Sequence, residues 1–310
     1  VGHRIAWQQL PGWEQGRQST SWSALLASCR RLAEEDPAWE ALCAEARLLP
    51  AEPSTARARA FLEKRFVPHA VHSRSGGRHG LITGYYEPLL HGSRERRGPY
   101  QHPLYAPPPE LVKLDLAEAF PQLPDHPLRG RLTPEGVVKP FWTRKEIESE
   151  PSPLAGHELI WVKNPIDRFF LHIQGSGRVR MAAGDTLAVR YADQNGHSYH
   201  SIGKELVERG ELALETVTLD RLRKWLRDNP EARRPLFNTN PSYVFFHLAK
   251  GNSQPTGSLN VPLTPQRSVA ADPRHIPPGA ALWLDTTLPL PGGGAGPDFQ
   301  RLVFAQDTGG

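Results

Sequence analysis

The stretch RLVFAQDTGG, residues 301 to 310, decides how the rest of this chain is read. Leu302, Val303 and Phe304 make a short apolar, strand-like run that delivers a carboxylate at Asp307, then Gly309 and Gly310, where a backbone can approach a ligand closely. A second stretch, SVAADPRHIPPG (268 to 279), has the same form and places Asp272 straight after its own apolar run. Strand ends are where barrels present reactive groups, and a carboxylate there titrates high if its surroundings are apolar. Aspartate is equally a turn-capping residue, so spacing alone leaves both roles open.

The totals narrow the class. At 310 residues the chain has room for two domains of roughly 100 to 200 residues each. Its 31 prolines and 27 glycines favour many short strands joined by turns over long helices. No apolar run approaches the ~20 residues that would span a bilayer. The formal charge of +4 is spread over mixed patches such as GSRERRG (92 to 98) and EARRP (231 to 235). It lacks the basic stripe that nucleic acid needs, so nucleic acid is excluded as a partner.

Between residues 20 and 66 the pattern is helical. STSWSALLASCRRLAEED spaces Trp22, Leu25, Leu26, Cys29 and Leu32 at helical intervals, PAWEALCAEARLL opens on a proline suited to a first turn, and STARARAFLEKRF makes a third helix. Cys29 and Cys43 fall on the apolar faces of the first two, and are either a disulfide in an oxidising compartment or two buried thiols. From Leu81 the pattern turns to strand in LITGYYEPLL. A proline-dense stretch from Gly98 to about Pro153 reads as irregular connections between short strands. ELIWVKNPIDRFFLHIQGSGRV and TLAVRYADQNGHSY read as further strands, and SIGKELVERG and TLDRLRKWLRDN as two amphipathic helices, the second capped by Thr218.

Two more motifs combine polar side chains with glycine. In TGYYEP, strand alternation would set Thr83, Tyr85 and Glu87 on one face and Tyr86 on the other, an arrangement suited to stacking on a sugar ring. In HIQGSG (172 to 177), Gly175 and Gly177 expose backbone, while Gln174 and Ser176 offer hydrogen bonds to hydroxyls or amides. It is not a phosphate loop, because the downstream lysine and the strand–loop–helix setting are missing. On the residues alone, a plain tight turn here and ordinary strand residues in TGYYEP stand as the alternative readings. There is no GxSxG, HExxH or GxGxxG in a fitting context, and the 13 histidines are scattered, so neither a metal nor a cofactor is expected.

Taken in series, TGYYEP, FFLHIQGSGRV, VRYADQNGHSYHSIGKEL, NPSYVFF, PLTPQRSVAADPRHIPPGA and RLVFAQDTGG resemble the membrane-bound lytic transglycosylase A family, murein-cleaving enzymes of the bacterial envelope. The resemblance runs from about residue 80 to the last residue. It implies a mainly β fold with some α: a double-psi β-barrel domain with an N-terminal helical cap, formed by residues 1–90 and 239–310, and an inserted second small β-barrel domain, 91–238. The glycan strand would lie in the cleft between them.

The same resemblance implies roles. Asp272 and Asp307 match the first two aspartates of a three-aspartate domain, and the third, the family's general acid/base, would lie beyond Gly310. Cleavage of the β-1,4 bond between N-acetylmuramic acid and N-acetylglucosamine would leave 1,6-anhydro ends. The nucleophile is then the substrate's own C6 hydroxyl, so one carboxyl suffices where hydrolytic glycosidases need two. Asp307 would support that acid as a like-charged neighbour. Thr83, Tyr85, Tyr86, Gln174, Ser176 and Gly177 would line the cleft, with Tyr191 and Asn195, and Glu87 and Asp272 would support it. The setting would be the periplasm at the outer membrane, with a lipid anchor in residues ahead of those given, since no cysteine precedes Cys29. Other cell-wall enzymes are further candidate partners. Two rivals stand beside this: a non-catalytic peptidoglycan-binding module, and a hydrolase pairing Glu87 with Asp307.

Overall fold

The computed structural model describes residues 2–73, 75–116, 128–249, 254–290 and 295–308. The chain divides into two compact units, Val1–Thr83 with Gln254–Gly310, and Gly84–Ser253.

The first unit opens with the three expected helices, α1 (Trp22–Leu32), α2 (Pro37–Ala46) and α3 (Thr55–Arg65). Asp36 caps α2 by accepting the Ala38 N–H at 2.7 Å, with Pro37 in the first turn, and Ser54 caps α3. The apolar stripe of α1 is buried, and Trp22 meets Phe61 of α3 edge-on at 5.1 Å. A disulfide joins Cys29 to Cys43, which settles the alternative that spacing left open.

The second unit is built on a six-stranded sheet. Its elements in chain order begin with β1 (Leu89–Ser93), β2 (His102–Tyr105), β3 (Leu111–Leu114), β4 (Leu128–Leu132) and β5 (Val138–Lys139). They continue with α4 (Arg144–Ile147), β6 (Glu158–Val162), α5 (Pro165–Gln174), β7 (Ser176–Met181) and β8 (Thr186–Gln194). Helices α6 (Ile202–Glu208), α7 (Leu219–Asp228) and α8 (Pro230–Phe237) precede β9 (Val244–Ala249). The large sheet has the order β2-β6-β1-β7-β8-β9, and only its β1–β7 pair is parallel. Strands β3, β4 and β5 make a small antiparallel sheet of their own. Leu90, Ile160, Leu171, Val179, Val189 and Phe246 form the core of the large sheet, and a second cluster gathers Phe169, Phe170, Leu206, Leu226 and Phe237 from α5 to α8.

The chain then returns to the first unit as β10 (Ser268–Ala271), β11 (Ala281–Pro289) and β12 (Ala295–Thr308). In this sheet β12 is central, parallel to β10 and antiparallel to β11. Leu302 and Phe304 of β12 complete the core of α1 and α3.

The fold is mixed α/β rather than mainly β, and among the described residues the strands form open sheets with no closed barrel. The excess of helix has identifiable causes. FFLHIQ, read as strand, is the body of α5: Asn164 accepts the Ile166 N–H at 2.9 Å, Pro165 fills the first turn, and Gly175 at φ 73° ends the helix. Helix α4 is opened by a capping box between Thr143 and Glu146, and α8 by Pro230. Conversely, residues 81–88 are not strand, and β1 begins only at Leu89.

Candidate functional site

In the second unit the two glycine-flanked motifs meet. Helix α5 carries Gln174 at its last position. Gly175 then takes the left-handed conformation a side chain resists, and its N–H closes the helix on Leu171 O at 2.8 Å before the chain enters β7 at Ser176. The Gln174 carbonyl accepts the backbone N–H of Tyr86 at 3.0 Å. That bond explains why TGYYEP does not alternate as a strand: a side chain, not a ladder neighbour, takes its N–H, and Tyr85 and Tyr86 both stand exposed.

Gly177 is needed for packing rather than for ligand approach. A Cβ there would lie 2.6 Å from Leu171 Cδ1 and 2.9 Å from the Pro88 carbonyl, and Gly177 is buried. Ser176, half-buried, pairs in register with Arg190 of β8.

Glu87 is held by two arginines. Arg190 Nη1 donates to its Oε1 at 2.7 Å and also to the Gly177 carbonyl at 3.2 Å, while Arg178 Nε reaches Oε2 at 3.4 Å. Tyr86 is held at its far end as well, because Arg223 Nη2 donates to its hydroxyl at 3.3 Å. Arg223 is fixed by Asp167 Oδ1 at 2.7 Å and lies over the Phe170 ring at 4.7 Å. The Gln174 side chain at its N–H and the anchored Arg223 at its hydroxyl thus hold Tyr86 from both ends.

Tyr191, on β8, neighbours this cluster: a Cβ placed on Gly175 would sit 3.8 Å from Tyr191 Cβ. Tyr191 is 43 % exposed as a residue, as against 47 % for Tyr85 and 42 % for Tyr86, so three tyrosines reach solvent in one unit. Burial of the hydroxyl end pushes the Tyr191 phenol up. Below it, Asp193 is buried; burial alone would raise its carboxyl, but Arg129 at 2.6 Å, the Gln194 N–H and Lys113 at 3.2 Å hold it below the usual carboxylate range.

The structure places Asn195 away from this surface. It is buried, its amide donates to the carbonyls of Trp142 at 2.8 Å and Pro241 at 2.9 Å, and its Oδ1 accepts the Tyr243 N–H at 2.8 Å. Such a fully used amide is a fastening of β8 to the segment before β9. Thr83 is exposed and belongs to the first unit.

In the first unit the parallel register of β10 on β12 sets Ala270 opposite Asp307 and Ala271 opposite Thr308, so the segments carrying Asp272 and Asp307 finish side by side. Asp307 Oδ1 accepts the N–H groups of Ser258 and Thr308, each at 2.9 Å. Asp272 is clamped by Arg274, which donates from Nη2 at 2.6 Å and from its own N–H at 2.9 Å. Those bonds hold its carboxyl down to about 2. Gln306, next to Asp307 on β12, is buried and bonds Ala24 O, Ser28 Oγ and Ser268 Oγ, tying the end of β12 to α1 and β10. Gly309 and Gly310 lie outside the described residues. Among the described residues no three metal-ligating side chains gather, and no helix is long and apolar enough to cross a membrane.

Comparison with known proteins fits this division. Residues 81–247 match the model of the MltA specific insert domain, and residues 267–310 match that of the 3D domain.

The chain belongs to the MltA family.

Membrane-bound lytic murein transglycosylase A of Escherichia coli (strain K12) is 33 % identical over 233 residues, which is 74 % of this chain and 56 % of the relative. The match therefore spans little more than half the length of that MltA. Among solved structures, MltA from Neisseria gonorrhoeae in a monoclinic form superposes with a TM-score of 0.82 at 29 % identity, covering 99 % of this chain and 82 % of that one. E. coli MltA with bound chitohexaose gives 0.70 at 26 % identity, covering 95 % and 80 %.

Sequence reasoning missed Arg178, Arg190, Arg223 and Gln306, the residues that fix the motifs. Charged side chains with no local partner, such as Arg190 inside the apolar run LAVRY, were the available signal.

Proposed function

We propose that this chain carries out lytic murein transglycosylation: it binds a peptidoglycan glycan strand and cleaves the β-1,4 bond between N-acetylmuramic acid and N-acetylglucosamine, leaving 1,6-anhydromuramic ends. One observation carries the reading, the match to the MltA specific insert domain along 81–247 followed by the 3D domain along 267–310. The chitohexaose bound by the E. coli relative supports a glycan as the ligand.

In this reading the exposed residues Tyr85, Tyr86 and Tyr191 stack on sugar rings, while Gln174 and Ser176 supply polar contacts; Thr83 is a further proposed glycan contact. Gly177 permits the close packing behind that wall, and Glu87, held by Arg190 and Arg178, positions the tyrosine segment. A carboxylate already engaged by two guanidinium groups is poorly placed to act as a hydrolytic partner of Asp307. The proton is given to the glycosidic oxygen, and then taken from the C6 hydroxyl, by the third aspartate of the family pattern. Asp307 serves as its like-charged neighbour and Asp272 as structural support. The finer fold proposed is a double-psi β-barrel that uses β10, β11 and β12, with a small barrel in the insert. The proposed setting is the periplasmic face of the outer membrane, since the relative is named membrane-bound.

The test is mass spectrometry of muropeptides from purified sacculi treated with the chain carried through to that third aspartate. Anhydro ends, one water lighter than hydrolytic products, are expected. Reducing ends made with water, or no cleavage at all, would overturn the proposal.

A further inference from the structure

A cavity of about 630 Å³ opens in the second unit between β2, the segment after α4, and helices α5 and α8. Its size is that of a small-ligand site. None of the residues proposed to contact glycan lines it; its arginines come from the mixed-charge stretches GSRERRG and EARRP and from α5. Trp161, Ile147, Phe237 and several prolines make the walls apolar, and the charged groups are four arginines, Arg96, Arg168, Arg233 and Arg234, against three glutamates, Glu148, Glu150 and Glu158.

The pairing of these charges is uneven. Arg168 and Glu148 are both buried and bond at 2.8 Å, and Glu148 is shared with Arg144 at 3.1 Å. Arg234 donates to the Glu148 backbone carbonyl at 2.6 Å. Arg96 lies over the Trp161 ring at 5.4 Å, donates to Gln101 at 2.8 Å and stands 3.6 Å from Glu150. Glu158 accepts the Gly156 N–H at 2.8 Å. Arg233, half-buried on α8, makes no ion pair among the described residues, and its Nε is buried with no hydrogen-bond partner. One buried N–H without a partner carries a cost that an acceptor in the cavity would remove, and the rest of this half-exposed guanidinium has no ion pair among the described residues to compete for it.

The wall facing it adds no second charge. His102 of β2 lines the same cavity, and burial, with the nearby charges of Arg168, Arg233 and Arg96, holds its imidazole down to about 4, so it is neutral at neutral pH. The lining as a whole therefore carries one positive charge in excess. A dianion such as phosphate would meet three carboxylates in that lining. A single carboxylate on a small apolar body would neutralise it and cover the apolar walls.

We propose that this cavity is a binding site for a single carboxylate on a small apolar body, such as the C-terminus of a short peptide with small apolar side chains, with Arg233 as the anchoring cation and Trp161 and the prolines receiving the apolar body. Arg233 offers the planar two-donor fork that a carboxylate fits. The proposal stands apart from the glycan reading, because no residue assigned to glycan binding lines the cavity.

The experiment is fluorescence anisotropy of the whole chain with a fluorescein-labelled trialanine bearing a free carboxyl terminus, beside the same peptide as its C-terminal amide. The free acid should bind at least about tenfold more tightly than the amide, a difference of about 1.4 kcal/mol. Arg233→Ala should remove that preference, and Arg233→Lys should restore part of it. Chitohexaose should not displace the peptide. Equal binding of acid and amide overturns the proposal, as does an unchanged preference in Arg233→Ala with an unchanged melting curve. Displacement of the bound acid by inorganic phosphate at concentrations below those at which the unlabelled acid competes would overturn the proposal in favour of a phosphate site, and displacement by chitohexaose would overturn its separation from the glycan surface. The acid-against-amide comparison is made on the unaltered chain, so it holds even if a variant misfolds.

Discussion

Arg190 Nη1 lies 2.7 Å from Oε1 of Glu87, 103 residues earlier in the chain, and the arginine is the more buried partner, with 7 % of its side chain exposed against 23 % for the glutamate. Strand β8 thereby holds the polypeptide that leads from Tyr85 and Tyr86 into β1. Removing the arginine strips a partly buried carboxylate of its nearest partner and leaves the Gly177 carbonyl without that donor. Arg190→Ala should cost about 2–3 kcal/mol in urea unfolding, while Glu87→Gln, which keeps an acceptor, should cost about 1. Chitohexaose affinity should fall in both variants. Unfolding midpoints that match the parent would show the pair to be idle.

Gln174 touches the tyrosine segment through one bond, to the Tyr86 N–H at 3.0 Å, and it is only half-buried. Gln174→Ala should therefore change stability by no more than about 1 kcal/mol. Glycan binding should drop by several-fold, because Tyr86 loses its backbone anchor while Arg223 still holds its hydroxyl. Titration calorimetry with chitohexaose separates the two effects. Loss of stability without loss of binding would move Gln174 from the glycan surface to the scaffold.

Asn195 should behave in the opposite way. Its side chain makes three bonds in the interior, and an alanine would strand two carbonyls and one N–H. A loss of about 2–4 kcal/mol is expected, visible as a lowered melting temperature, with glycan affinity of the remaining folded protein unchanged. Reduced affinity at temperatures where the variant is fully folded would restore Asn195 to the binding surface.

These contrasts show what the sequence could carry. The helices of the first unit were legible, because Trp22, Leu25, Cys29 and Leu32 mark one face and Pro37 marks a first turn. The motifs TGYYEP and HIQGSG were legible as places of interest, but their geometry was not. Asn164, Pro165, Asp167 and Gly175 spell a helix start and stop around FFLHIQ, yet the aromatic and β-branched content of that run outweighed them. Tyr86 could not be seen to spend its N–H on Gln174, nor Glu87 to meet Arg190, since such partners are set by sheet order and not by local pattern. Asn195 and Tyr191 looked alike in sequence as polar residues on one strand; the irregular register between Tyr191 and Asp193 precedes the point where Asn195 is buried.

The disulfide Cys29–Cys43 closes a loop of 14 residues between α1 and α2. Closing a loop of about that length stabilises by about 3 kcal/mol in the chain-entropy account. Replacing both cysteines by serine should lower the denaturation midpoint of the first unit, read by hydrogen exchange of α1 and α2. An unchanged midpoint would mean that packing of Leu25, Ala46 and Phe61 alone fixes the helix pair.

His172 gives the second unit a sensitivity to acid. Its ring is buried, meets Tyr243 edge-on at 4.3 Å and Phe246 at 5.3 Å, and neither nitrogen has a hydrogen-bond partner among the described residues. Burial, then the charges of Arg144 and Arg168, hold its pKa well below the ordinary 6.5; of the neighbouring groups, the Glu148 carboxylate is bound by those same arginines, and burial keeps the Tyr243 hydroxyl neutral. The unfolded chain therefore takes up a proton below about pH 6.5 that the folded chain refuses. Stability is complete above that pH and falls as pH drops, by at most about 1.4 kcal/mol per pH unit for this ring. His102, held at about 4, acts in the same direction between 6.5 and 4. Carboxylates with lowered values, such as Glu148 and Asp193, lose their contribution only nearer their own range, so the interval from pH 6.5 to 5 isolates the histidines. Calorimetric melting across that interval should show a steeper fall for the parent than for His172→Phe, which keeps the aromatic packing and removes the titration. Parallel curves would mean that His172 is protonated in the fold after all, or relieved by a change in its surroundings.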